Sequence, residues 1–260
     1  MTGMYDRGRP VLVGYLPAGF PSVAGAIEAA TAMVEAGVDA FEIGLPYSDP
    51  TVDGPVIQQA VHEALTGGVR VADVLRTVEA VAATGAPTLV MTYWNPVDRY
   101  GADAFARDLA SAGGAGLITP DLIPEEAGDW LAASDAHNLD RVFLVAPSST
   151  DARLKLTADA CRGWIYATSV MGVTGAREAT SARAPELVAR LRAVTDLPVG
   201  VGLGVRDGAQ AAEVAGYADA VIVGSAFVQR LLDGEGAAGV AALAADLAAG
   251  VAAGVRRAGT

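Results

Sequence analysis

The chain alternates between short apolar runs and longer segments in which apolar residues recur at helical spacing. Most of the apolar runs are continuous, which is typical of parallel strands covered on both faces. Strands that alternate with helices of this length indicate repeated βαβ units. The pattern predicts eight strands, at residues 11–16, 40–45, 87–93, 116–120, 141–146, 164–170, 198–204 and 220–224. The helical patterns between them include residues 24–35, 102–112, 124–136, 184–194 and 209–215.

A weak internal repeat supports this interpretation. Residues 36–43, 112–118 and 215–222 each contain a helix that ends at a glycine, a short turn and then a strand. Eight such units close a barrel, whereas an open doubly wound sheet more often has about five or six strands. We therefore predict a single (β/α)₈ TIM-barrel domain over residues 1–260, with the open doubly wound α/β sheet as the alternative.

Glu42 interrupts the apolar run of the second predicted strand, close to its C-terminal end. In a barrel of this kind the catalytic residues lie at the C-terminal ends of the strands and in the loops that follow them. A charged, unpaired carboxylate in the interior is costly. Two interpretations stay open from the residues alone: a buried ion-pair partner, or a general acid/base whose pKa is raised by desolvation.

The long loop after this strand, residues 46–59, contains three prolines, one glycine and two carboxylates. Asp49 lies between Ser48 and Pro50, which is typical of a turn or helix N-cap. Asp53 lies at the far end, where the loop can fold back over the barrel mouth. Together with Glu42 it would form a pair of carboxylates in different environments, an arrangement suited to acid–base chemistry at neutral pH.

Glycines cluster after the sixth predicted strand, within the seventh and at the end of the eighth, close to the loops where barrels of this kind usually bind phosphate. They let backbone amides approach an anion, and Ser225 begins a helix whose N-terminus favours negative charge. Gly224 and Ser225 are predicted to bind the anion. For Gly202 and Gly204, tight packing inside the barrel is the alternative. Val205 occupies the last position of a would-be G-x-G-x-x-G motif, so no dinucleotide site is predicted.

Composition excludes several classes of partner. The chain has 30 acidic and 18 basic residues and a net charge of -12, which argues against nucleic acid as a partner but not against a small phosphorylated molecule. The apolar stretch at residues 236–255 is rich in Ala and Gly and is interrupted by Asp246. It is predicted to be a barrel helix and not a membrane span. A soluble, cytoplasmic protein is expected.

Metal and hydrolase sites are not predicted. The single cysteine, Cys161, permits neither an intrachain disulfide nor a thiolate cluster and is expected to be an inert thiol. His62 and His137 fall in helical surface patterns without metal-ligand spacing. There is no G-x-S-x-G elbow and no Walker A loop.

Residues 42–50 (EIGLPYSDP) and 53–58 (DGPVIQ) resemble the signature of the tryptophan synthase α-chain family. Further matching segments, spread over nearly the whole chain, are residues 14–21, 93–96, 172–177 and 224–227. The resemblance implies retro-aldol cleavage of indole-3-glycerol phosphate into indole and glyceraldehyde 3-phosphate, without a cofactor.

The resemblance also implies roles for individual residues. Glu42 would be the acid/base that protonates indole C3 and removes a proton from the glycerol hydroxyl, and Asp53 would bind the indole N–H. Tyr166 matches the family's active-site tyrosine and would orient Glu42 or the substrate, with a barrel-core aromatic as the alternative. The residues implied to bind substrate are Tyr15, Tyr93, Thr174, Gly175, Gly202, Gly204, Gly224 and Ser225.

In this family the chain pairs with a β chain that carries pyridoxal phosphate, in an α2β2 complex. Relatives that release free indole without a partner are the first alternative, and a non-catalytic barrel subunit or a sugar-phosphate isomerase are others. Two departures from the family pattern are noted. Only residues 1–10 precede the first strand, where the family usually has a helix that plugs the barrel bottom, and Ser169-Val170-Met171 replaces the frequent Ser-Arg-Ser.

Overall fold

The computed structural model describes residues 8–168, 183–202 and 204–254. Strands β1 to β8 span Val11–Pro17, Ala40–Gly44, Thr88–Met91, Gly116–Thr119, Asp140–Val145, Ile165–Thr168, Val199–Gly202 and Ala220–Val223. In the same ranges, helices α1 to α11 span Val23–Glu35, Pro55–Thr66, Val71–Ala82, Trp94–Tyr100, Ala102–Ser111, Gly128–Ala136, Asp151–Ala160, Arg183–Arg192, Gly208–Ala215, Ser225–Leu232 and Gly236–Ala253.

The eight strands form one closed barrel in sequence order. Every neighbouring pair is parallel, and β1 closes the barrel by pairing with both β2 and β8. The prediction of a (β/α)₈ barrel is therefore confirmed, and the open-sheet alternative is wrong. The register places Glu42 of β2 beside Tyr15 of β1 and Leu89 of β3.

Two apolar clusters stabilise the barrel. The larger one lies between the strands and the surrounding helices. The smaller one fills the barrel itself and consists of Val11, Val13, Ala40, Leu89, Ile118, Val142, Trp164, Ala220 and Ile222. Because the smaller cluster closes the lower and middle layers of the interior, polar side chains at the C-terminal ends of the strands face the mouth and not a through-channel.

One predicted helix is divided in two. The pattern at residues 124–136 predicts a single helix, but the chain forms a 3-10 turn at Pro124–Glu126 and then α6. Proline is well suited to a first helical turn, and Gly128 is a poor residue for a helix interior. The buried side chain of Ala127 joins the two pieces. The predicted strand at residues 164–170 is observed as β6, and its last two residues lie outside the described residues.

Helix α11 is long and apolar enough, by length and composition alone, to cross a membrane. Its buried residues pack against α1 and α9. A Cβ on Gly250 would collide with the backbone of Gly208 at the start of α9, so the two helices touch closely. The helix is thus part of the barrel wall, as its composition predicts.

Carboxylates also lie at the opposite end of the barrel, where the strands begin. Asp39, just before β2, accepts hydrogen bonds from both terminal nitrogens of Arg9 at 2.8 and 2.7 Å and from the N–H of Leu12 at 2.9 Å. Asp219, just before β8, accepts from the N–H of Val199 at 2.9 Å and from Arg192 at 3.1 Å. These carboxylates tie neighbouring strands together at the barrel bottom.

Candidate active site

Glu42 is almost completely buried, with 1% of its surface exposed. Its Oε1 atom has no hydrogen-bond partner among the described residues, and none of the ion pairs found in that part of the chain involves it. Burial raises the pKa of Glu42 to about 8. The geometry thus supports the acid/base interpretation over the ion-pair one, because a carboxyl group with this pKa holds its proton at neutral pH and can donate it.

Asp53 lies on the loop between β2 and α2 and is half-buried. Burial raises its pKa, and a side-chain hydrogen bond with Tyr93 opposes that rise. The other loop carboxylate, Asp49, is exposed and accepts a hydrogen bond from its neighbour Ser48 at 2.5 Å. Asp49 therefore makes a local loop contact, in agreement with its predicted turn role.

Tyr15 and Tyr166 connect the two carboxylates. The pKa of each tyrosine lies well above its usual value, first because of burial and then because of the negative charges of Glu42 and Asp53. Both tyrosines are therefore within electrostatic reach of both acids. Glu42 and Asp53 therefore lie near the same two phenols at this end of the barrel, and the raised pKa values keep both phenols protonated at neutral pH.

Three glycines create the space that these tyrosines occupy. A Cβ on Gly44 would collide with the Tyr15 hydroxyl, and a Cβ on Gly224 would lie 3.1 Å from the Tyr15 ring. A Cβ on Gly202 would lie 2.5 Å from the hydroxyl of Tyr166. For Gly202 this supports the packing alternative. Gly202 leaves room for the ring of Tyr166.

The predicted phosphate end lies across the mouth, after β7 and β8. Helix α10 begins at Ser225, and Gly224 at its N-cap supplies no side-chain hydrogen bond to the first turn. Among the described residues no side chain caps the first amide N–H groups of this helix, so in that part of the structure they can bind an anion. Gly204 has a φ of 72°, a left-handed conformation that favours glycine. The other two predicted ligands, Thr174 and Gly175, lie outside the described residues.

A contact between the loops after β2 and β3 was not predicted. The side-chain amide of Asn95 donates to the hydroxyl of Tyr47 at 3.1 Å, and the rings of Tyr47 and Tyr93 lie 5.3 Å apart. Asp121, exposed after β4, accepts a hydrogen bond from the N–H of Trp94 at 2.9 Å and so caps α4. Residues 93–96 belong to a matched family segment, but its spacing does not indicate which loop it would contact.

The fold and the site together define a class. A closed (β/α)₈ barrel with a buried proton donor on one side of its mouth and free helix amides on the other is typical of enzymes that act on small phosphorylated substrates. Within that class the family is shown by sequence. The family model described as tryptophan synthase alpha chain matches residues 1–252, and the chain belongs to that family.

Individual relatives agree with this assignment. The tryptophan synthase alpha chain of Salinispora arenicola is 69% identical over 251 residues, covering 96% of this chain and 94% of the relative. That of Mycobacterium intracellulare is 63% identical over 252 residues, covering 97% and 91%. A solved structure of Mycobacterium tuberculosis tryptophan synthase superposes with a TM-score of 0.92 at 60% identity, covering 96% of each chain.

Proposed function

We propose that this chain is the α subunit of a tryptophan synthase and cleaves indole-3-glycerol phosphate into indole and glyceraldehyde 3-phosphate. The observation that carries the proposal is Glu42, a buried carboxyl group with no partner among the described residues and a pKa of about 8, which shares one barrel mouth with Asp53. Membership in the family supplies the substrate and the reaction.

The ionisation of Glu42 suits both proton transfers of a retro-aldol cleavage. The protonated carboxyl group first donates its proton to indole C3, which leaves Glu42 as a carboxylate and the ring as an iminium-like cation. The carboxylate then removes the proton of the glycerol hydroxyl next to the ring. The C–C bond breaks, its electron pair restores the neutral indole, and the new aldehyde belongs to glyceraldehyde 3-phosphate. Glu42 ends with the proton count with which it began.

Asp53 is proposed to accept the indole N–H and to stabilise the positive charge that grows on the ring. A fixed carboxylate stabilises such a charge most strongly when it is partly removed from water, as the half-buried Asp53 is. Tyr15 and Tyr166 are proposed to line the substrate site, with Tyr166 orienting Glu42 or the substrate. The position of both tyrosines, within reach of both carboxylates, supports this role.

The phosphate group is proposed to bind opposite the carboxylates. Gly224, Ser225 and Gly204 would contribute amide groups, together with Thr174 and Gly175 from the loop after β6. The amides at the start of α10 can hold a dianion without a cationic side chain. Gly202 would contribute to the substrate site indirectly, because it leaves room for the ring of Tyr166.

The partner is proposed to be a tryptophan synthase β chain that carries pyridoxal phosphate, in an α2β2 complex. Support comes from the relatives, which are named as α chains, and from the solved Mycobacterium tuberculosis structure, which is named tryptophan synthase. A cytoplasmic location is proposed with it. A stand-alone lyase that releases free indole is the second candidate.

The test is an assay of indole release from indole-3-glycerol phosphate, run with and without a β chain from a close relative. The proposal requires indole release that the β chain accelerates. Release that is fast and unaffected by the β chain would favour the stand-alone lyase. If substrate binds but no indole appears under either condition, the chain is a non-catalytic barrel and the proposal is wrong.

A further inference from the structure

The hydroxyl group of Tyr93 accepts two hydrogen bonds from the loop that carries Asp53. The backbone N–H groups of Thr51 and Val52 both donate to it, each at 3.1 Å. A phenolic hydroxyl has one proton and two acceptor positions, so these two N–H groups occupy both acceptor positions. The side chain of Tyr93 also opposes the rise in the pKa of Asp53.

These two hydrogen bonds distinguish Tyr93 from Tyr15 and Tyr166. A hydroxyl whose two acceptor positions are occupied by backbone N–H groups cannot accept a hydrogen bond from a substrate. We infer that Tyr93 is a positioning residue that fixes Asp53 over the indole, and not a substrate ligand as the family resemblance implies. This inference rests on the proposed function for the role of Asp53 itself.

The surroundings of Tyr93 suit it to this task. It lies two residues after the end of β3, forms the N-cap of α4, and is 5% exposed. The loop that it binds is more exposed, since Thr51 is an exposed residue. The Tyr47 ring packs against the Tyr93 ring, and Asn95 holds the Tyr47 hydroxyl. A rigid barrel element therefore holds a longer, solvent-facing loop at a single oxygen atom.

Several ionisable groups share the mouth with Asp53. Glu42 of β2 and the phenols of Tyr15 on β1, Tyr93 after β3 and Tyr166 on β6 are the titratable groups in electrostatic contact there. Among the described residues no cation takes part in these interactions. Only the hydrogen bond from Tyr93 lowers the pKa of Asp53, whereas burial raises it. Loss of the Tyr93 hydroxyl should thus favour protonated Asp53.

A double-mutant cycle tests the inference. Tyr93→Phe and Asp53→Asn are made singly and together in the full chain assembled with its β chain, and kcat and KM are measured for indole-3-glycerol phosphate. Tyr93→Phe is expected to lower kcat about 30-fold with little change in KM. In the Asp53→Asn background the same change should cost less than about twofold. The acid limb of the pH profile should move to higher pH in Tyr93→Phe alone.

The control is Tyr100→Phe, which removes a hydroxyl that bonds only Asp108 on an exposed surface. It should leave the kinetics unchanged. Equal losses from Tyr93→Phe in both backgrounds, or a rise confined to KM, would show direct substrate contact and overturn the inference. A carboxyl-NMR titration of Asp53 gives a readout independent of turnover. An unchanged pKa in folded Tyr93→Phe also overturns it, whereas absence of indole release by the wild type refutes the proposed function instead.

Discussion

The two ends of this barrel each hold a buried carboxyl group, and the two groups differ in their hydrogen bonding. At the bottom, Asp39 accepts two hydrogen bonds from Arg9 and one from a backbone amide. At the mouth, Glu42 lies on the strand that follows Asp39, only three residues further along, and its Oε1 has no partner among the described residues. Both are buried carboxyl groups, one just before β2 and one within it.

The difference shows what each carboxyl group contributes. A buried carboxylate whose hydrogen bonds are satisfied stabilises the fold, because it links chain segments and keeps its charge. A buried carboxyl group left without partners weakens the fold slightly and gains a raised pKa, which is the property that acid catalysis needs. The carboxyl groups at the bottom and at the mouth are both buried, so it is their hydrogen bonding that makes one a stabilising group and gives the other a raised pKa.

The largest expected effect comes from the mouth. Glu42→Gln should lower the rate of indole release about 1000-fold, because the amide cannot donate or accept the transferred proton. Substrate binding should persist, since the amide has the same shape. The measurement is single-turnover kinetics beside a binding titration. A variant that keeps more than a tenth of the wild-type rate would remove Glu42 from the chemistry.

At the bottom, the corresponding change should act on stability. Asp39→Ala breaks the Arg9 ion pair and leaves the N–H of Leu12 unsatisfied, so the free energy of unfolding should fall by about 2–3 kcal/mol. The turnover number of the folded protein should stay within about twofold of wild type. Denaturant unfolding and kinetics at low temperature check the two halves. Asp39→Asn keeps an acceptor for Leu12 and should lose less.

The rate of indole release and the stability should both depend on pH through the ionisation of Glu42. With a pKa of about 8, Glu42 is protonated at neutral pH, so the rate should fall about tenfold per pH unit above pH 8. The free energy of unfolding should also fall as the pH rises. The native state holds this proton more tightly than the unfolded chain, so the wild type loses stability as the pH rises toward 8. Glu42→Gln should lack that loss, and identical wild-type and variant unfolding curves at pH 5 and pH 9 would refute the raised pKa.

The smallest effect is expected from an exposed partner at the bottom. Arg192 is 44% exposed on its side chain and pairs with Asp219, which keeps the N–H of Val199 as a second partner. Arg192→Met should therefore cost less than about 1 kcal/mol of unfolding free energy. A larger loss in thermal unfolding would mean that this pair, and not the backbone contact, holds β7 to β8.

Much of the fold could be predicted from the sequence because parallel barrel strands leave a continuous apolar pattern. All eight predicted strands overlap observed ones, and the main differences are at their ends. The break at Ala127 within the predicted helix of residues 124–136 was not predicted. Apolar spacing is the same for a 3-10 turn followed by a helix as for one helix, and only the proline and glycine positions distinguish them.

The site was predictable to a lesser degree. Glu42 is conspicuous in sequence because a charge within an apolar strand is costly, and Asp53 is conspicuous through its loop. The environment of Tyr93 could not be predicted. Its hydrogen bonds join positions 41 and 42 residues apart, and no local pattern encodes which loop a side chain will meet. The packing of Gly202 against Tyr166 could not be predicted for the same reason, because the contact joins two neighbouring strands that are far apart in sequence.

The aromatic pair on β6 and just before it has an optical consequence. The indole ring of Trp164 is fully buried and stacks on the ring of Tyr166, with centroids 5.5 Å apart and an angle of 29° between the planes. A natural fluorophore thus lies against the ring of Tyr166, screened from solvent quenchers. Occupation of the mouth should change its emission, so ligand arrival can be timed by stopped-flow fluorescence without any attached dye.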